Sequence, residues 1–297
     1  MDTLVSLSDD LARAVELAGR AVVAVNARRR LPSSGVHWRP GIIVTADHTV
    51  TVEEQITITR PDGGTSPASL AGRDPGTDLA VLRVDGQLAV AEIGDASPLK
   101  LGQIVLALGY GPRVSWGVIS ALGDGRPRSR ESLEPPVYLD LTLYPGFSGG
   151  PLVDAQGRVV GITSSGLSRH SRLGIPATTV TRITDELLER GHVARGYLGL
   201  GMQPVRLPEA LARALEPPRP IGLIVVHVRP DGPAARAGVL MGDVLVALGE
   251  VPVTDIEDVE VALGRARVGA SLAASLVRAG GLIELTITVA ERPRRGR

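Results

Sequence analysis

Short β-branched apolar runs recur from residue 21 to about residue 165, separated by Pro61-Asp-Gly-Gly64, Asp85-Gly86, Asp124-Gly125 and Gln156-Gly157. Glycine, proline, asparagine and aspartate in such clusters favour tight reversals over continued strand. The pattern predicts many closely spaced short strands with no long helix between them, hence a mainly β sandwich or barrel. Helical spacing is found nearer the ends. Leu7, Leu11, Val15 and Ala18 repeat at near-helical intervals, Ser8 can cap that segment, and Asp9 and Asp10 suit its positive end, so a helix is expected over about 8–18. Gly19 should end it, and Ala21–Val25 reads as the first strand. A second helical stretch runs from Thr181 to Arg190 through Ile183, Leu187 and Leu188 until Gly191 stops it, and a third spans Ile256–Ala266.

A chain of 297 residues has room for two domains with their own cores. The expected division is a first domain over 1–190, a linker at 191–195, a second domain over 196–292 and a basic tail at 293–297. Lysine plus arginine equals aspartate plus glutamate at 32 each, so no overall field attracts nucleic acid or an anionic membrane. The absence of cysteine excludes thiol nucleophiles, thiolate metal sites and disulfides. Residues 1–30 carry Asp2, Asp9 and Asp10 and lack a basic start followed by an unbroken apolar core. No apolar run approaches the ~20 residues that span a bilayer. A cytoplasmic location is the expectation from these features, with export as the alternative if the true start lies upstream.

Candidate chemistry gathers on Asp140–Asp154, where Ser148 stands among Gly146, Gly149 and Gly150 just ahead of Pro151. Glycines let the chain turn sharply, expose the hydroxyl and aim N–H groups at one point, as an oxyanion hole requires. A serine hydroxyl needs a base and a group to orient that base. His48 ends the apolar run Ile42–Ala46, and Asp78 opens Asp78–Val84. The order His, Asp, Ser is that of the chymotrypsin type, whereas α/β-hydrolases run Ser, Asp, His. Gly-Phe-Ser-Gly-Gly also fits the α/β-hydrolase elbow, but an elbow serine leads into a helix, and Gly149-Gly-Pro151 with a turn at Gln156-Gly157 favours a hairpin. Asp47 and Asp74 rival Asp78. Asp47, next to His48, would point to the opposite face of a strand, while Asp74 meets no such objection. His37, His170, His192 and His227 read as structural.

Thr45–His48, Gly72–Leu82, Gly117–Gly123, Pro145–Val153 and Tyr197–Leu200 together resemble the HtrA (DegP-like) family, trypsin-fold serine proteases with a C-terminal PDZ domain. The resemblance implies a double β-barrel with His48, Asp78 and Ser148 at the cleft, followed by a small α+β PDZ domain. It favours Asp78 over Asp74. It implies an oxyanion hole from the N–H groups of Gly146 and Ser148, and a substrate site made by Thr142 and by Gly161, Ile162, Thr163 and Ser164, with no charge and hence an aliphatic P1 residue. Tyr197, Leu198, Gly199 and Leu200 would hold a peptide carboxylate at the PDZ groove. It further implies unfolded or damaged proteins as substrates, peptides with hydrophobic C-termini as PDZ ligands, no metal or other cofactor, an activation loop at Arg126–Pro136, and a homotrimer, although residues 1–30 lack the aromatic contacts such trimers use. Tyr144 and Phe147 stand where the family usually has asparagine. Phe147 also cannot pair with a newly cut amino terminus, so activation by N-terminal cleavage is not expected. The alternative function is a PDZ peptide-binding or chaperone-like protein with a latent protease domain.

Overall fold

A computed structural model describes residues 3–94, 99–111, 113–123, 136–168, 170–215, 218–266 and 268–293. They form two compact units, one ending at Val193 and the other beginning at Ala194. The expected activation loop, apart from Pro136, and most of the basic tail lie outside the described residues.

The first unit opens with α1 (Thr3–Gly19), continues through β1 (Val22–Asn26), β2 (Ser33–Arg39), β3 (Ile42–Ala46), β4 (Thr57–Thr59), β5 (Thr65–Asp74) and β6 (Leu79–Val84), then β7 (Ile104–Gly109), β8 (Arg113–Leu122), β9 (Val137–Asp140), β10 (Pro151–Val153), β11 (Val159–Ser164) and β12 (Arg172–Pro176), and ends with α2 (Ala177–Arg190). All strand pairs are antiparallel, and they close two six-stranded barrels, in the orders β1-β2-β3-β6-β5-β4 and β10-β11-β12-β9-β8-β7. Closure leaves no free sheet edge and explains why strands such as β3 and β6 are apolar on both faces: one face fills the barrel, the other packs outside it. Val25, Ile43, Ile58 and Leu82 fill the first barrel, and Val105, Ile119, Leu139 and Leu152 the second. A third cluster joins Trp38, Val44, Leu79, Leu108 and Ile162 with Ala14 and Ala18 of α1 and Val180, Ile183 and Leu187 of α2, so the helices and both barrels share one apolar interior.

Two expectations are corrected. The first helix starts at Thr3, and Ser8 lies inside it instead of capping it. An internal serine costs a helix only about half a kcal/mol, less than interrupting the ladder there. Likewise α2 starts at Ala177 despite its β-branched opening, because Val180 and Thr179 are buried and Thr181 Oγ1 accepts a hydrogen bond from Trp38 Nε1 at 3.3 Å. Packing overrides propensity. Gly191, at φ 74, ends the helix as expected and returns its N–H to Leu187 O.

The second unit pairs β13 (Gly196–Tyr197) with β20 (Ala290–Glu291), and builds a sheet from β14 (Leu200–Arg206), β15 (Ile221–Val228), β16 (Val244–Leu248), β18 (Ser271–Arg278) and β19 (Gly281–Thr288), with β17 (Val251–Pro252) against β16. Helices α3 (Glu209–Ala214), α4 (Pro233–Arg236) and α5 (Ile256–Arg265) complete it. Asp255 caps α5 through a reciprocal box with Asp258. Strand β14 forms one end of the five-strand path, so its outer edge is open.

Buried Asp243 ties this sheet together. Its carboxylate accepts from Arg278 at 2.8 Å through both oxygens and from Leu240 N–H at 2.8 Å. The Arg278 hydrogen bond, aided by Leu240 N–H and opposed by burial, holds its pKa below the usual carboxylate range. A depressed folded pKa adds stability that is complete above the unfolded value of about 3.9 and is lost as pH falls through the folded value. Asp243→Asn is therefore expected to lower the thermal midpoint of this unit at pH 7 by roughly 5–10 °C. The gap to the parent should begin to narrow below about pH 4 and close as pH falls through the folded value. Calorimetry of the whole chain at stepped pH reads it, and a gap that persists undiminished at pH 3 would contradict the assignment.

Candidate active site

Strand β3 delivers its end directly to the site. Ala46 leads into a single 3-10 turn, Asp47–Thr49, that turns His48 out of the strand. The strand-alternation argument against Asp47 therefore does not apply. Asp47 is excluded instead by its partners: its carboxylate accepts from Arg73 Nε, while burial pushes its pKa up against that hydrogen bond. Asp74 is excluded too, because its Oδ2 accepts from Thr77 N–H at 3.0 Å and Thr77 Oγ1 at 2.7 Å. That closed turn presents Asp78 in a left-handed conformation, φ 56, which aspartate tolerates better than most side chains.

Asp78 is buried, with its side chain 5% exposed, and its carboxylate is held by His48 and Ser164. Oδ1 accepts from the His48 backbone N–H at 2.8 Å, and His48 Nδ1 lies 2.8 Å from Oδ2 and 2.9 Å from Oδ1. Ser164 Oγ, wholly buried at the end of β11, donates to Oδ2 at 2.5 Å. A ring nitrogen facing a carboxylate carries the proton, so Nδ1 is the donor and Nε2 is left as the base.

Ser148 follows a turn built for its neighbour. Phe147 N–H donates to Tyr144 O at 3.0 Å across Pro145-Gly146, and Gly146 has φ 95. Proline followed by a positive-φ glycine is a type II turn, whose central peptide faces opposite to that of a type I turn. The turn type thus sets the direction of the Gly146 N–H. Neither that N–H nor that of Ser148 donates to a group among the described residues. Ser34 Oγ secures the turn by donating to Gly146 O at 2.7 Å.

Phe147 is completely buried, edge-on to Tyr144 with ring centroids 5.5 Å apart, and against Gly109, where any Cβ would come within 2.5 Å of its ring. An apolar plug thus fills this position, and Phe147 O accepts from Gly150 N–H and Thr163 Oγ1. No helix follows Ser148: β10 and β11 form a hairpin closed by Asp154, which accepts from Gln156 and Arg158 N–H groups at 2.9 Å, and this removes the α/β-hydrolase elbow.

The remaining expected residues divide. Thr142 is exposed, and its N–H donates to Ser115 Oγ at 3.2 Å. Gly161, Ile162 and Thr163 pair on both sides, with β10 or Gly150 and with β12, and the side chains of Ile162 and Thr163 are buried, so their backbone has no free edge for a substrate. Only the end of β11 beyond Ser164 is available. In the second unit Gly199 has φ 80, and the carbonyls of Leu198 and Gly199 accept from Ala234 and Arg229 N–H groups, fixing the Tyr197–Leu200 loop at the start of the open β14 edge. Sequence reasoning missed Ser164 as a partner of Asp78, and it missed Ser165 and Ser34 altogether. The run Thr163-Ser-Ser-Gly166 after an apolar strand was the available signal, but a serine run has no meaning until its neighbours are known.

With this geometry in hand, comparison with known proteins finds a trypsin-like peptidase domain over residues 33–162 and a PDZ domain over 196–289. Relatives named periplasmic DegP-like serine endoproteases include one from Pseudomonas putida (strain W619), 33% identical over 263 residues that make up 85% of this chain and 54% of the relative. Another, from Halomonas elongata, is 34% identical over 276 residues, 90% of this chain and 57% of the relative. The chain spans about half the length of the curated relatives it matches. Among solved structures, an HtrA-type protease, AlgW, with a tripeptide is 32% identical at a TM-score of 0.78, covering 96% of this chain and 98% of that one. A serine endoprotease from Yersinia pestis is 31% identical at a TM-score of 0.78, covering 95% and 98%. The periplasmic names overturn the cytoplasmic expectation. The fold of a barrel carries no address, and an absent leader pattern in residues 1–30 does not by itself place a protein in the cytoplasm. Among the described residues no helix is long and apolar enough to cross a membrane.

Proposed function

The chain belongs to the HtrA-type, DegP-like serine endoproteases, and from that premise we propose that it hydrolyses peptide bonds of unfolded or damaged proteins in the periplasm through an acyl-enzyme at Ser148. The observation that carries the reading is the His48–Asp78 pair, in which one carboxylate takes both the ring Nδ1–H and the backbone N–H of the same histidine and so sets its tautomer and its position.

In this reading His48 Nε2 removes the Ser148 proton as Oγ attacks the scissile carbonyl carbon. The negative charge that develops on oxygen is held by the N–H groups of Gly146 and Ser148, each such donor contributing on the order of a hundredfold in rate. The imidazolium, stabilised by Asp78, returns the proton to the departing amine, and water then attacks the ester by the same route in reverse. The uncharged side chains of Thr142 and of Ile162, Thr163 and Ser164 favour an aliphatic P1 residue, and the segment after Ser164, which no neighbouring strand pairs, is suited to an extended substrate. At the second unit, a peptide with a hydrophobic C-terminus adds as a strand to the open edge of β14 beside α5, its carboxylate on the N–H groups of the Tyr197–Leu200 loop. The proposal extends to a homotrimer.

A fluorophosphonate reporter tests the core of it. The parent protein is expected to be labelled at Ser148 and to cleave casein, and Ser148→Ala and His48→Ala are expected to do neither. A parent that stays unlabelled with and without a PDZ-binding peptide would leave only the peptide-binding alternative.

A further inference from the structure

The Ser148 hydroxyl is not free. Its Oγ lies 2.8 Å from Ser165 Oγ and also accepts from Ser165 N–H at 3.3 Å, whereas no hydrogen bond joins it to His48 Nε2. The position of Ser165 is itself determined by the site. Ser164 Oγ donates forward to Asp78 Oδ2 and accepts from Gly166 N–H at 3.1 Å and Leu167 N–H at 3.3 Å, so one hydroxyl closes the turn that ends β11. That turn aims both the N–H and the hydroxyl of the next residue at Ser148.

Either direction of the shared hydrogen bond opposes attack. If Ser148 donates to Ser165, the proton that His48 must remove points elsewhere. If Ser165 donates, Ser148 accepts twice and both lone pairs of the nucleophile are engaged. We propose that Ser165 is a positioning residue that holds Ser148 in a resting rotamer, so that each acylation requires the Ser148 hydroxyl first to leave Ser165 and turn to His48. The inference rests on Ser148 being the nucleophile of the proposed reaction. Ser165 is solvent-exposed at the mouth of the site, so its hydroxyl can swing into water once the contact is broken.

Because a net hydrogen bond changes an equilibrium by roughly 3–10-fold, Ser165→Ala should raise the maximal rate of fluorophosphonate acylation by about that factor. The reagent's half-saturating concentration and the apparent pKa of the pH–rate profile should stay as in the parent, since neither the pocket nor the His48–Asp78 pair is altered. Ser165→Thr, which keeps the hydroxyl, should restore the slow rate. The proposal is overturned if Ser165→Ala is labelled no faster than the parent, or if Ser165→Thr is as fast as Ser165→Ala. Labelling of neither would overturn the proteolytic reading and this inference with it, whereas equal labelling of both overturns this inference alone.

Discussion

Asp78→Asn is expected to lower kcat for peptide hydrolysis by about ten-thousandfold while leaving the fold intact. The reason lies in which donors cannot move. The His48 backbone N–H is fixed by the 3-10 turn and needs an acceptor at the Oδ1 position, so the amide oxygen of asparagine settles there. Its NH2 group then occupies the Oδ2 position, 2.8 Å from His48 Nδ1. Two N–H donors cannot face each other, so the ring releases the Nδ1 proton and carries one on Nε2, where a base is required. Ser164 Oγ already accepts from the Gly166 and Leu167 N–H groups, so facing the amide NH2 it loses its acceptor at Oδ2, a further cost of the substitution that is small beside the wrong tautomer. Ser164→Ala, by contrast, removes one of several donors to a carboxylate that keeps its charge, and should cost about tenfold or less. Steady-state kinetics on a chromogenic peptide, with thermal melts to verify folding, read both variants. An Asp78→Asn protein within tenfold of the parent would show that the carboxylate does not set the tautomer.

Gly149→Ala is expected to disrupt the seam between the barrels. A Cβ at this position would lie 2.3 Å from Ser34 O, 2.5 Å from Thr45 Oγ1 and 2.7 Å from Ala46 N. Two of the three are backbone atoms of the first barrel, so relief requires the barrels to part. Gly63 supplies a matched control, because it has the same φ of 85 and nothing within 4 Å of its would-be Cβ. Left-handed strain alone costs a non-glycine residue about 1–3 kcal/mol, and overpacking adds a similar amount. Gly63→Ala should therefore lose only the first contribution, and Gly149→Ala about 3 kcal/mol or more. Ala46 directly precedes the turn bearing His48, so the loss of stability in Gly149→Ala should come with a loss of kcat that Gly63→Ala does not share. Equal stability losses in urea melts of the two variants would refute the steric account.

Much of this site could be read locally, and the physical reason is short range. Pro145-Gly146 encodes a type II turn because proline and a positive-φ glycine are each confined to what that turn needs, and Gly149-Gly-Pro151 excludes a following helix for similar reasons. The apolar runs between turn clusters announced strands, and their double-sided burial is what two closed barrels require. The start of α1 was misread because a serine inside a helix costs too little to mark a boundary by itself. The stretch Gly161–Thr163 shows a different limit: periodicity says that a strand exists but not whether both its edges are already paired.

By itself, then, the sequence determined the strand-rich architecture, and it supplied as expectations the two-part organisation and the order His48, Asp78, Ser148 of the candidate site, all of which follow from local backbone chemistry and motif context. Tertiary structure alone decided that Asp74 and Asp47 are engaged elsewhere, that Ser164 braces Asp78, that Ser165 rather than His48 holds the resting Ser148 hydroxyl, and that Gly149 lies where no Cβ fits. These outcomes depend on distances between segments remote in the chain. A side chain's hydrogen-bond partners are set by whichever strand ends are brought beside it, and no spacing along the polypeptide encodes that.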